Sequence, residues 1–245
     1  MGGDESVAPA QQETALVSEG RQAGATSTGV DVASLVGSRG EVHRAAVFID
    51  GFNLYNGIKA KYGHRYLWLD VHQLAAQLLR PDQSLGGVVY CTARLRQDPG
   101  RQQRQSTYLW ALMEHRPQIE IVEGRFKIRH RRCRTCGSSW LVYEEKETDV
   151  NLATALVEHA AQERFDVALL ISADGDMCPA VRAVKRLRAD ARVVACFPPM
   201  RRSEDLRRAA DAWLTIGEGL LKRSQLPRQV TATSGVILRR PKKWC

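Results

Sequence analysis

The chain is 245 residues long, 44% hydrophobic and 26% charged, and 36 Lys and Arg against 27 Asp and Glu give it a formal net charge of +9. That length holds one large domain or two small ones with a substantial core, and the composition excludes a fibrous or wholly disordered chain. The positive balance points to a polyanionic partner, nucleic acid being the commonest, and no segment approaches the roughly 20 consecutive apolar residues of a membrane span.

In chain order, residues 1–41 are rich in Gly, Ala, Ser, Thr, Gln and Glu and contain no aromatic residue. Such a stretch buries too little apolar area to offset its ordering entropy, so it reads as a disordered tail; it lacks the basic start and apolar core of a secretory signal. A domain is expected over 42–222, with a basic Cys-x-x-Cys hairpin insert near 125–143, followed by a tail over 223–245 that can form a hairpin. Ala45-Ala46-Val47-Phe48-Ile49 is a continuous apolar run ending at Asp50, as a strand buried on both faces reads. Gly51-Phe52-Asn53 turns into a helix through Leu54 and Ile58, and a second helix runs from Asp70 as N-cap to Leu79, closed by Pro81. Gly87 to Ala93 reads as a strand, Gln102 to His115 as a helix, and Ile119 to Ile128 as a strand that carries on into a basic loop. The second half alternates likewise: helix from Thr148 as a good N-cap to Gln162, strand Val167 to Ser172, helix Asp176 to Arg188, strand Arg192 to Phe197 stopped by Pro198-Pro199. A short helix near Ser203 to Ala210 then leads to an edge strand, Trp213 to Ile216, and VTATSGVILRR suits a hairpin through Ser234-Gly235. Strands alternating with helices predict an α/β, Rossmann-like, three-layer fold around a mainly parallel central sheet.

In such sheets ligands bind beyond the carboxyl ends of the strands, at the topological switch point. Asp50 closes the first strand, Asp174 lies just past Val167–Ser172, and Asp176 starts the following helix. Asp149, in the first turn of its helix, shares a face with Leu152, Ala153, Leu156 and Ala160, so its carboxylate is expected to point towards the strand ends. Each alone has a plain explanation as a helix cap or turn residue. Together they repel, by roughly 4 kcal/mol for two carboxylates about 4 Å apart at an effective dielectric near 20. A hard divalent cation relieves that repulsion and prefers oxygen ligands, which argues for Mg2+ or Mn2+. Asp50, Asp149 and Asp174 are expected to ligate directly, Asp176 to ligate or orient water, and Asn53 to hydrogen-bond a phosphate or steady Asp50, with Ser172 in a similar part.

Arg125, Lys127, Arg129, Arg131, Arg132 and Arg134 crowd the segment before the Asp149 helix, where they are expected to attract RNA phosphates, with Trp140 and Tyr143 as stacking faces. His130, Cys133 and Cys136 offer three candidate Zn2+ ligands, and a structural site normally needs four; Cys91 or a second subunit is a candidate source of the fourth. Six cysteines in a chain this long suggest a reducing cytoplasm rather than a disulfide scaffold. Cys178 and Cys196 read as core. No G-x-G-x-x-G follows the first strand and no P-loop is present. A haloacid-dehalogenase-like phosphatase wants a second aspartate two residues after the first, where Phe52 stands.

VFIDGFNLY (47–55), EKETDVNLATAL (145–156) and LLISADGDMCPAV (169–181) resemble the three signature blocks of NYN-domain proteins, part of the PIN-like superfamily that includes the LabA-like proteins. The resemblance spans about residues 44 to 216. It implies a metal-dependent ribonuclease acting on cytoplasmic RNA, with Asp50, Asp149, Asp174, Asp176 and Asn53 in the family's site positions and the Cys pair on a zinc-knuckle-like hairpin. Members closest to the pattern often carry glycine and a branched apolar residue before the second-block aspartate, where Glu147-Thr148 stand here. The expectation is therefore an endoribonuclease, or an RNA-binding or regulatory protein that keeps the fold without the catalysis; a homodimer is compatible with either.

Overall fold

A computed structural model of the protein describes residues 42–96 and 98–244; the tail read as disordered over 1–41 lies outside the described residues. The strand β1 (His43–Asp50) buries every side chain from Ala45 to Asp50. It does so because parallel neighbours flank it on both edges, β2 (Gln83–Ala93) on one and β5 (Val167–Ile171) on the other. With β3 (Ile119–Arg132), β4 (Ser139–Lys146), β6 (Arg192–Phe197) and β7 (Ala212–Thr215) they form one sheet in the order β4-β3-β2-β1-β5-β6-β7. All neighbours in it are parallel except β3 and β4.

Alternation along β1 divides the core. Ala45, Val47 and Ile49 pack with α1 (Gly51–Tyr62), α2 (Val71–Leu78) and α3 (Pro99–His115) on one face. Ala46 and Phe48 pack with α4 (Thr148–Ala161), α5 (Cys178–Leu187) and α6 (Glu204–Ala209) on the other. Fully buried Phe48, Leu109, Leu152 and Leu156 each contribute roughly 1.5–3 kcal/mol of apolar burial, so the layers hold one another in place. The chain leaves β1 towards β2 and β3, then crosses back to β5, β6 and β7 on the far side. The switch point is therefore the carboxyl-terminal crevice between β1 and β5, where Asp50 ends its strand and Asp174 lies three residues past the end of β5.

Four features depart from the sequence reading. The basic hairpin expected near 125–143 is no separate loop: β3 itself runs on to Arg132 and returns antiparallel as β4, with Arg125 opposite Lys146 and Arg132 opposite Ser139. The alternation of Phe126 and Ile128 with cations is a strand pattern that the density of charge conceals. Thr148 is the first helical residue rather than the cap; Glu147 takes the cap position with φ of +77° and no side-chain capping bond. That left-handed backbone is where glycine fits without strain, at a saving of roughly 1–2 kcal/mol over a residue with a Cβ, and β4 needs it to turn sharply into α4. β2 begins at Gln83 rather than Gly87, with a register shift opposite Ala45 and Ala46. A helix not expected from the sequence, α7 (Glu218–Arg223), adds Leu221 to the first core face.

At the carboxyl end, β8 (Gln229–Thr231) and β9 (Ile237–Arg239) form a small antiparallel hairpin whose turn includes Gly235 at φ of +83°. It leads Trp244 back into the core. No helix among the described residues is long and apolar enough to cross a membrane.

Candidate active site

The crevice is built from helix starts. Asp50 is the N-cap of α1, and its Oδ1 accepts the Asn53 backbone N–H at 2.8 Å. The Ser172 hydroxyl donates to Asp50 Oδ2 at 3.2 Å and itself accepts the Asp174 backbone N–H at 3.1 Å. Asp174 Oδ1 in turn accepts the Asp176 N–H at 2.9 Å, capping a single 3-10 turn, Gly175–Met177. A chain of hydrogen bonds thus links the ends of β1 and β5 and fixes how far Asp50 stands from Asp174. Asp50 and Ser172 are buried, Asp174 is partly covered, and Asp149 and Asp176 are exposed at the rim.

Two glycines let the walls close on this point. A Cβ on Gly51 would lie 2.8 Å from the Cys91 carbonyl oxygen and the Tyr90 ring. One on Gly124 would lie 2.6 Å from the Lys146 carbonyl oxygen and 2.8 Å from Thr148 Oγ1. The second contact lets β3 run against the start of α4, and that sets the position of Asp149.

The electrostatics carry the signature of crowded negative charge. Desolvation raises the Asp50 pKa, against hydrogen bonds from Asn53 and Ser172 that lower it, while Glu145 and Asp174 raise it further. Asp149 is pushed up to about 6, first by desolvation and then by the charges of Asp50, Glu145, Asp174 and Asp176. All four sequence-predicted aspartates are therefore brought into one field. A fifth carboxylate, Glu145, joins them; it lies next to the β4–α4 turn, and its Oε1 accepts the Thr148 N–H at 3.3 Å. Without β4 and its register, nothing in the residue order separates Glu145 from the neighbouring Glu144 and Glu147.

The donor set suits a hard cation: every candidate ligand offers carboxylate oxygen. Asn53 Oδ1 is buried at the head of α1 with no hydrogen-bond partner in the described structure, an orphaned polar atom of the kind that a bound ion or its water satisfies. The side chains as placed do not close an inner shell, for no three His, Cys, Asp or Glu among the described residues converge tightly enough to hold a metal.

The basic segment is divided rather than gathered. Strand alternation puts Arg125, Lys127, Arg129 and Arg131 on one ribbon face with Glu144 and Trp140, and Phe126, Ile128, His130 and Arg132 on the other with Glu145 and Tyr143. Carboxylates already occupy much of the charge: Arg125 pairs with Glu147 at 2.6 Å, and Arg129, Arg131 and Lys146 all lie within 3.4 Å of Glu144. Arg132 donates to the Gly137 carbonyl, whereas Lys127 and Arg134 form no ion pair among the described residues. The face carrying Glu145 also carries Phe126, whose ring meets Phe52 edge-to-face at 6.1 Å over the start of α1. These two aromatics, which the sequence did not single out, wall the cleft.

Cys133 and Cys136 sit at the ribbon tip, which is closed by the Cys133 N–H to the Ser138 carbonyl at 2.7 Å. Hydrogen bonding with Ser138 lowers the Cys136 thiol to about 7. His130 does not join the pair in a three-ligand group. Cys91 does not complete it either: it is buried opposite Val122, ten residues along β3 from Arg132, a separation of roughly 33 Å at strand rise. Burial and the nearby Asp50 charge raise the Cys91 thiol to about 12.

Comparison with known proteins matches residues 44–217 to the NYN domain family. A curated relative, 6-hydroxy-3-succinoylpyridine 3-monooxygenase of Pseudomonas putida, is 26% identical over 242 aligned residues, covering 82% of this chain and 75% of the relative. A crystal structure of a protein of unknown function from Vibrio parahaemolyticus superposes with a TM-score of 0.50 at 20% identity, covering 73% of this chain and 96% of that one, a likeness of fold.

Proposed function

The chain belongs to the NYN domain family, and from that premise we propose that it is a divalent-metal-dependent ribonuclease hydrolysing RNA phosphodiester bonds at the carboxylate cleft. The observation that carries the reading is the mutual field of Asp50, Glu145, Asp149, Asp174 and Asp176 at the switch point of the sheet. Asp50, Asp149 and Asp174 would hold Mg2+ or Mn2+, with Asp176 and Glu145 at the periphery. Bound there, such an ion supplies a Lewis acid for a phosphoryl oxygen and makes a water more acidic.

The chain's own residues do the rest. Ser172 fixes the rotation of the Asp50 carboxylate, and the Asp174 backbone fixes Ser172. Asn53 Oδ1, without a partner among the described residues, is placed to accept a hydrogen bond from a water. Phe52 and Phe126 offer a surface on which an unpaired base can stack, worth roughly 1–3 kcal/mol per base. Lys127 and Arg134, free of carboxylate partners among the described residues, are the ribbon's first contacts for phosphate, and the overall charge of +9 steers RNA towards the protein.

The name of the Pseudomonas relative denotes an oxygenation. Hydrolysis is preferred here because the side chains that cluster are carboxylates, suited to hard cations and phosphoryl transfer. A non-catalytic RNA-binding protein on the same fold is the second reading, favoured by the open spacing of the carboxylates. End-labelled single-stranded RNA incubated with the protein separates the two. Cleavage is expected with Mn2+, none with chelator, and roughly a hundredfold less or below with Asp149→Asn. Binding without cleavage under every metal condition supports the second reading, and cleavage undiminished in the variant removes the assigned site.

A further inference from the structure

On the opposite face of the sheet from the carboxylates, a cavity of about 200 Å³ opens between α1, α3 and the end of β2. Its walls are apolar and aromatic: Leu54, Tyr55, Tyr90, Tyr108, Leu109 and Trp244. Tyr108 meets Trp244 edge-to-face at 5.9 Å and spends its hydroxyl on the Leu69 carbonyl at 2.9 Å. The Gln105 amide is likewise committed, donating to the Ala93 carbonyl and accepting the Leu95 N–H. The interior therefore offers ring surface and little hydrogen bonding. The Tyr55 hydroxyl has no hydrogen bond among the described residues, and the Tyr90 and Thr92 hydroxyls also face the cavity.

The mouth has the opposite character. Lys59, Arg101 and Arg104 line it, and Lys243 lies close by: desolvation first, and then all four cations, lower the pKa of His64. Arg101 shares the exposed Asp98 at 3.3 Å, while Lys59, Arg104 and Lys243 form no ion pair among the described residues. Unpaired cations gathered over an aromatic hole are a recognition pattern: the walls take a ring, by edge and face contacts, and the guanidinium groups take an anion beside it.

We propose that this cavity binds a small aromatic anion, a single ring bearing a carboxylate or phosphate, with the ring among Tyr55, Tyr108 and Trp244 and the anion on Arg101 and Arg104. The size agrees, since a cavity of about 150 Å³ holds benzene, which leaves room for a short acidic substituent. An RNA base fits the walls less well, because most of the lining is ring and aliphatic surface that leaves its hydrogen-bonding edges with few partners. The site shares Phe52 with the wall of the carboxylate cleft but uses none of the carboxylates, and it survives if the nuclease reading fails.

Fluorine NMR of 3-fluorobenzoate with the full chain tests it. Broadening of the fluorine line is expected, reversed by benzoate and by phenyl phosphate but not by neutral benzyl alcohol at about tenfold higher concentration. The double variant Arg101→Ala/Arg104→Ala is expected to weaken binding about tenfold or more. Leu95→Trp, on the partly exposed loop at the mouth, should fill the entrance and abolish binding while the protein still melts cooperatively. The proposal is overturned by a fluorine line unchanged at millimolar ligand with folded protein, by binding that survives Leu95→Trp, or by uridine monophosphate displacing the probe at lower concentration than benzoate.

Discussion

Asp50→Asn is expected to lower RNA cleavage by a hundredfold or more while leaving the protein folded. The first half follows because outer partners of metal sites already cost roughly 10–100-fold when removed, and Asp50 is the buried member of the set. The second half follows from what the side chain does locally. Asparagine caps a helix as well as aspartate does, so the bond from the Asn53 N–H survives, and the new amide can meet Ser172 Oγ. Desolvation and the charges of Glu145 and Asp174 work against the ionised carboxylate at this position, so the metal-free variant at pH 7.5 should melt no lower than the parent. Mn2+ should raise the melting temperature of the parent and not of the variant. A variant that unfolds would show that the charge of Asp50 is needed for the fold itself; one that cleaves at the parental rate would remove it from the chemistry.

The second large effect is a dependence on pH of opposite sign for stability and activity. The Asp149 pKa is raised from an ordinary 3.8 to about 6 in the folded metal-free protein. The folded state thus holds this proton more tightly than the unfolded state does. The stability associated with this group is fully present below about 3.8 and is lost as pH rises through about 6, so the metal-free parent should lose melting temperature between pH 4.5 and pH 7.5 relative to Asp149→Asn. Activity needs the ionised form and should run the other way, falling about tenfold for each unit below pH 6. Because a cation favours the ionised carboxylate, raising Mn2+ should move the midpoint of the activity profile below 6 and flatten the loss of stability. A midpoint that stays fixed across a wide range of Mn2+ would show that the titrating group and the metal do not meet.

The parallel half of this molecule was legible because its strands are unbroken apolar runs. Val47-Phe48-Ile49 and Val167 to Ile171 have no polar face to confuse the period, and Asp50 and Asp174 mark their carboxyl ends. The β3–β4 ribbon was legible as a basic hairpin but not in its extent or register, since its alternation is between cations and Phe126, Ile128 and Tyr143 and the charge density hides the strand period. Missing that register meant missing Glu145 as a fifth carboxylate and treating the basic residues as one surface, when pleating divides them between two. The aspartates themselves were readable at 50, 174 and 176, which end a strand or open a helix. Asp149, expected to point inward, instead stands exposed at the rim, still within the field of Asp50, Glu145, Asp174 and Asp176. The cavity beneath α1 could not be foreseen. It depends on Trp244 returning from the carboxyl end to meet Tyr108, a contact 136 residues apart with no local signature.

Titration of the full chain with Mn2+ at pH 7.5, following the electron paramagnetic resonance of the free ion, tests most directly whether these carboxylates share a cation. The account predicts loss of the free-ion signal at sub-millimolar metal, binding about tenfold or more weaker in Asp149→Asn and in Asp174→Asn, and release of the ion as pH is lowered to 5. Mn2+ binding identical in the parent and both variants, or none at all in the parent, would contradict it.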